Sequence, residues 1–282
     1  MAVRDLPGDP GLRPTLLRSE RGPYVGTPRV RRFGRFACDP ALDRLLLALQ
    51  AGFGPQRWWP AETPFEVVLG AILTQNTAWS NVEKAFHGLR LVTALTPASL
   101  LLLPEPELEA AIHPSGFFRA KARKLRELSR WYLEVGGLRT LVEEPLEPLR
   151  SALLGVFGVG PETADSILCY AAGRRTAVVD VYTRRILGRH GFLSPDAPYE
   201  EVRGWLGERL VPSQAVFEEF HALCVRAGHH HCRPTAACEA CPAPTPRDSL
   251  PVARKPQGPV DPRERKSESL RTDSVSHRGP RA

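Results

Sequence analysis

Leu153-Leu154-Gly155-Val156-Phe157-Gly158-Val159-Gly160-Pro161-Glu162-Thr163-Ala164-Asp165-Ser166-Ile167-Leu168 is the stretch on which the fold turns. An apolar helix runs into Gly-Val-Gly, Pro161 suits the first turn of a second helix, and Ala164, Ile167 and Leu168 form that helix's packing face. Gly158 and Gly160 permit a tight turn and leave backbone N–H groups open at a helix N-terminus. Such a turn receives a phosphate oxygen without a charged side chain. Taken alone, the same residues also describe an ordinary corner between two helices.

Outward from this corner, nearly every segment reads as helix. Leu42, Leu45, Leu46 and Leu49 recur at helical spacing up to Gly52. Thr63-Pro64-Phe65-Glu66 combines an N-cap, a first-turn proline and a capping-box glutamate, and opens a helix through Leu73. Further helices start after Thr96-Pro97 and Leu103-Pro104. Arg119 to Leu133 places Leu125, Leu128 and Tyr132 on one face, with basic groups opposite. Only Thr176 to Val179 hints at strand alternation. The expected fold class is all-α.

The chain has 282 residues and a formal charge of +7, but that charge is uneven. Residues 1–40 and 243–282 each carry a net +4, which leaves 41–242 at −1. The ends read as an irregular basic arm over 1–35 and a disordered Pro-, Arg- and Ser-rich tail over 243–282. They are either salt-sensitive arms for nucleic acid or solvated ends. Within the middle, Arg119, Lys121, Arg123, Lys124, Arg126 and Arg130 cluster, and Lys84, Lys121 and Lys124 are its only lysines. The longest apolar helical run, Val67 to Leu73, falls far short of the roughly 20 residues a membrane span needs. Met1 to Pro14 lacks the apolar region of a signal peptide. The expectation is a soluble, cytoplasmic protein.

Four stations then fall in a telling order. Ala177-Val178-Val179-Asp180-Val181-Tyr182-Thr183-Arg184-Arg185 follows the Gly-Val-Gly corner, while Gly70-Ala71-Ile72-Leu73-Thr74-Gln75-Asn76-Thr77 and Gly116-Phe117-Phe118-Arg119-Ala120-Lys121-Ala122 precede it. Together they resemble the helix-hairpin-helix and flanking motifs of the endonuclease III superfamily of DNA glycosylases, over roughly residues 55–242. Trp58-Trp59-Pro60 and the Gly160-to-Leu168 segment look most like the 3-methyladenine DNA glycosylase III subgroup, whose members excise alkylated purines. The resemblance implies two helical lobes with DNA in the cleft: 56–174 holding the hairpin, and 36–55 with 175–242 holding the cysteines. It implies contacts to duplex DNA by Gln75, Lys121, Gly158, Val159, Gly160 and Thr163, with Gln75 filling the space left by a flipped nucleotide. The expected partner is double-stranded DNA, bound by a monomer near the nucleoid.

Chemistry rests on Asp180. Cleavage of an N-glycosidic bond builds positive charge on the sugar, which a fixed carboxylate stabilises while it orients or deprotonates water. Asp180 also suits the N-cap of the next helix, and the two roles are compatible. In strand-cleaving members of the superfamily, the residue before the hairpin's Thr-Ala is a lysine that forms a Schiff base. Here it is Glu162, which cannot do imine chemistry, so a monofunctional glycosylase with weak or absent lyase activity is expected. An endonuclease III-like glycosylase/lyase acting on oxidised pyrimidines or mismatches, and a non-catalytic lesion-binding protein, stay open. Trp58 and Trp59 offer faces for a flipped base, more so for a cationic alkylated one. One of the pair is expected to be structural.

Four cysteines crowd a short window: Cys224, Cys232, Cys238 and Cys241. Four thiolates suit a [4Fe–4S] cluster or zinc, and many relatives carry such a cluster at this point. Their set has a further cysteine after the one matching Cys241. None follows here, so Cys224 would have to serve. A cluster is the leading expectation; a zinc site using His229, His230 or His231, and no metal at all, stay open.

Overall fold

The computed structural model describes residues 32–56 and 58–244. They fall in the first of two units, Met1–Leu250; the second, Pro251–Ala282, lies outside them. The expectations for the ends, beyond residues 32–35 and 243–244, therefore concern residues outside the description. Among the described residues twelve α-helices follow one another: α1 Pro40–Phe53, α2 Pro64–Leu73, α3 Trp79–Val92, α4 Pro97–Leu102, α5 Glu105–Ile112, α6 Phe118–Glu134, α7 Leu138–Glu143, α8 Leu146–Leu154, α9 Pro161–Ser166, α10 Val181–Arg189, α11 Tyr199–Arg209 and α12 Gln214–His230. A π-helical turn, Ile167–Ala171, continues α9. Among the described residues there is no strand. Among those residues one antiparallel bridge pairs Ala37 with Leu210, and Thr176–Val179 forms no strand. The all-α expectation is met.

Local chemistry accounts for the helix ends. The Asp39 carboxylate accepts from the amides of Ala41 and Leu42 to start α1. The helix passes through Gly52 and ends at Gly54, whose φ is 71°. An end at Gly52 is too early: the helix runs on to Phe53 and stops where Gly54 takes a positive φ, which glycine adopts freely. Thr63 caps α2 through the Glu66 amide at 3.2 Å. Glu66 does not complete the box: its carboxylate takes the Glu62 amide at 3.1 Å and Arg90 at 2.8 Å.

Packing sets these helices around α2, all ten residues of which are buried. α2 lies against α6, α9 and the π-helical turn; α3 packs on α5, α4 on α6, and both α1 and α10 on α12. The π-helical turn touches α2 and α12 alike. On α6 the predicted stripe of Leu125, Leu128 and Tyr132 is buried. No helix among the described residues is long and apolar enough to cross a membrane.

Candidate active site

The hairpin is α8, the turn Gly155–Gly160, and α9. Gly158 has φ of 83°, a left-handed conformation that glycine adopts without strain. A Cβ there would also meet the Lys124 side chain at 2.3 Å. Val159 is buried, so its side chain anchors the turn. No side chain caps α9, which leaves its first amides free for an outside acceptor. A buried network fixes the hairpin from behind. Arg150 of α8 grips Asp165 of α9 in a two-pronged pair at 2.9 to 3.1 Å. Asp165 also accepts from Thr176 at 2.7 Å and Tyr199 at 2.9 Å. That cluster ties the hairpin to the extended segment leading into Asp180.

Gln75, just past α2, reaches the turn. Its amide donates to the Gly158 carbonyl at 3.1 Å and to the Thr163 hydroxyl at 3.0 Å, and its carbonyl accepts from Lys124 at 2.7 Å. The structure thus gathers Gln75, Gly158, Gly160 and Thr163, as the motifs suggested. Lys121 does not join them. It is 2% exposed, and its ammonium donates to the carbonyls of Leu73 and Ser115 at 2.8 and 2.7 Å. Burial, with Lys124 nearby, lowers its pKa to about 8. Lys121 is a structural pin for the end of α2, not a phosphate contact. The cations beside the turn are Lys124 and Arg123, the latter over the half-exposed Phe157 ring at 4.1 Å.

Asp180 is buried as the N-cap of α10, where its carboxylate accepts from the Thr183 amide at 2.7 Å. Its other oxygen lies 3.6 Å from Nε2 of His221 on α12. Nδ1 of that ring sits 2.7 Å from the Tyr170 hydroxyl, which also lies 3.1 Å from the Glu218 carbonyl. Burial opposes the charge on Asp180, yet His221 and Thr183 outweigh it and hold the carboxyl below its usual pKa. Cap and poised anion are the same side chain.

Tyr170 links this carboxylate to an aromatic cluster. Trp59 lies 5.4 Å from Tyr170, Trp58 packs 4.7 Å from Trp79, and Trp59 meets Trp79 edge-on at 5.5 Å. Trp59's indole edge rests on α2: a Cβ at Gly70 would approach its Nε1 to 2.9 Å. Both indoles pack against the core, and both indole N–H groups lack a hydrogen-bond partner within the protein. Sequence reasoning missed Trp79, Tyr170, His221 and Lys124. No motif marks them, since three helices and a turn bring them to the site from distant positions.

Cys224 lies within α12, and Cys232, Cys238 and Cys241 follow that helix. Cys224 is fully buried in α12, its thiol raised by burial and facing Thr183. Cys232, Cys238 and Cys241 line a small cavity with Leu49, Ile186 and His231, and Cys224 is not part of its lining. The Cys232 sulfur accepts from Arg189 at 3.1 Å. Among the described residues no three His, Cys, Asp or Glu side chains are grouped to hold a metal ion.

Comparison with known proteins agrees with the geometry. A profile described as the HhH-GPD superfamily of base excision DNA repair proteins matches residues 69–212. The chain belongs to that superfamily, a family of DNA glycosylases. It is 40% identical over 193 residues to a Methanocaldococcus jannaschii protein assigned as a DNA repair glycosylase, covering 67% of this chain and 88% of that one. Endonuclease III of Thermotoga maritima is 32% identical, over 63% and 79%. Among solved structures, Helicobacter pylori 3-methyladenine DNA glycosylase bound to 1,N6-ethenoadenine is 27% identical with a TM-score of 0.56, over 64% and 94%. An endonuclease III–DNA complex is 26% identical with a TM-score of 0.59, over 70% and 89%.

Proposed function

We propose that this chain is a monofunctional DNA glycosylase that hydrolyses the N-glycosidic bond of an alkylated purine flipped from duplex DNA. The observation that carries the reading is Asp180, a buried carboxylate held ionised by His221 and Thr183 next to an aromatic cluster. An anion in that setting stabilises the cationic sugar as the base departs. Backbone amides of the hairpin, with Lys124 and Arg123 beside them, suit phosphate oxygens, and the two groups of helices would flank the DNA as lobes. Gln75 is released from Gly158 and Thr163 to enter the duplex. Trp58 supplies the stacking face, which a base made cationic by alkylation rewards with an added cation–π attraction.

The lysines support hydrolysis over lyase chemistry. Among the described residues, Lys121 is buried on two carbonyls, Lys124 is engaged by Gln75, and Lys84 is exposed on α3. None adjoins Asp180, so no amine stands ready for a Schiff base. The test is base release from duplexes carrying single 3-methyladenine, 7-methylguanine, thymine glycol, uracil or 8-oxoguanine sites, with and without later alkali. Strand breaks at an alkylated purine that need alkali are expected. Alkali-independent breaks at thymine glycol would instead indicate an endonuclease III-like lyase, and binding without any release would indicate a lesion-binding protein.

A further inference from the structure

Gln75 stands on the open turn between α2 and α3, beside Asn76, which is exposed and holds a left-handed φ of 53°. Its side chain is engaged at both ends. Nε2 donates to the Gly158 carbonyl at 3.1 Å and to the Thr163 hydroxyl at 3.0 Å, and Oε1 accepts from Lys124 Nζ at 2.7 Å. Three bonds thus clamp it across the hairpin turn. The Lys124 stem lies along Gly158, where a Cβ would meet its Cγ, Cδ and Cε at 2.3, 2.5 and 2.8 Å. Lys124 itself is partly buried, and no carboxylate pairs with it among the described residues. The partner of its ammonium is the neutral Gln75 carbonyl.

We infer that Lys124 is a positioning residue that couples duplex capture to Gln75: in the free chain it holds the glutamine against the hairpin, and on DNA it exchanges that carbonyl for a phosphate oxygen. This rests on the glycosylase reading above and adds the step that frees Gln75. A phosphate oxygen carries charge and a glutamine carbonyl does not, so the ammonium bonds the phosphate more strongly. The exchange removes the shortest of the three bonds on Gln75, and the only one to a charged group. The two that remain join neutral groups and hold less firmly. Because Gln75 sits on a turn, its side chain can swing out without moving a helix. Arg123 makes the contrast: it lies over the Phe157 ring at 4.1 Å and does not bond Gln75, so it can meet phosphate without touching the clamp.

The experiment measures binding of lesion-free duplex, and of duplex with one tetrahydrofuran abasic analogue, across a range of salt. The proteins are the full wild-type chain, Lys124→Met, Lys124→Arg, Gln75→Ala and the double variant Lys124→Met/Gln75→Ala. Methionine keeps an apolar stem over Gly158 and drops the ammonium. Lys124→Met should flatten the slope of log affinity against log salt by about one, and Lys124→Arg should restore it. Gln75→Ala should bind the abasic duplex more weakly, yet bind lesion-free duplex about three- to tenfold more tightly, since Lys124 is then free for phosphate. That gain should vanish when Gln75→Ala is made on Lys124→Met. A gain of equal size with and without Lys124, or an unchanged salt slope in Lys124→Met, overturns this inference alone and leaves the glycosylase reading intact. A wild type that binds neither duplex overturns that reading and this inference together. A wild type that shows the full cycle yet releases no base from the lesion panel overturns the glycosylase reading and supports the coupling.

Discussion

Asp180 combines two duties that separate under substitution. Asp180→Asn keeps an oxygen for the Thr183 amide, so α10 should keep its cap and the chain its fold, while the anion is lost. Base release should fall about a hundredfold or more with duplex affinity retained, measured by single-turnover release and by direct binding. Lys121 is the opposite case, a residue whose chemistry serves stability. Its folded pKa of about 8 lies below its ordinary 10.5, so the unfolded chain binds more protons between those values. Lys121 therefore makes stability rise as pH climbs from about 8 to 10.5, and that gain is absent below. Thermal melts across this window should show a rise in the wild type that is missing from Lys121→Met.

At the scale of elements, the hairpin depends on a turn in front and an ion pair behind. Gly158→Ala puts a side chain at φ of 83° and drives it against Lys124. It should cost roughly 1–2 kcal/mol in denaturant unfolding and weaken duplex binding. Asp165→Ala strips Arg150, Thr176 and Tyr199 of a shared buried acceptor, and should cost roughly 3–5 kcal/mol. Cys224 sits inside α12, apart from the cavity lined by the other three cysteines. Metal content per chain should thus be the same in wild type and Cys224→Ala; a fall would restore Cys224 as a ligand. The helices themselves were legible because their signals are local. Thr63, Thr96 and Asp180 are caps that bond amides three residues away, and a pattern of that length is fully written in the chain. Gly52 misled because its reason is distant: the Pro242 side chain lies 2.3 Å from where a Cβ would stand, so the glycine marks a close approach rather than a helix end.

Over the whole molecule, the surplus of positive charge lies in the end segments 1–40 and 243–282, and 41–242 is nearly neutral. If those ends contact phosphate, a chain cut to residues 32–244 should bind duplex with a flatter dependence on salt and release base at the wild-type rate once bound. Much of the site was readable as motif, because Asp180, Gln75 and the Gly-Val-Gly turn each lie in a short stretch whose residue types reflect local backbone demands. Chain order also announced Glu162, where a lysine was expected. What the sequence could not contain was direction. Lys121 sits in a basic run, yet its position on α6 turns it inward to the end of α2, while Lys124, three residues on, faces the turn. His221 lies on a helix far from Asp180 in the chain, and only the packing of α10 on α12 brings them together. The sequence by itself determined the all-α class, the hairpin and the family, since periodicity, caps and turn glycines act over a few residues. Tertiary structure alone decided which cation faces the hairpin, what keeps Asp180 charged, and that Cys224 is buried outside the cavity lined by the other cysteines, because those depend on contacts between residues distant in the chain.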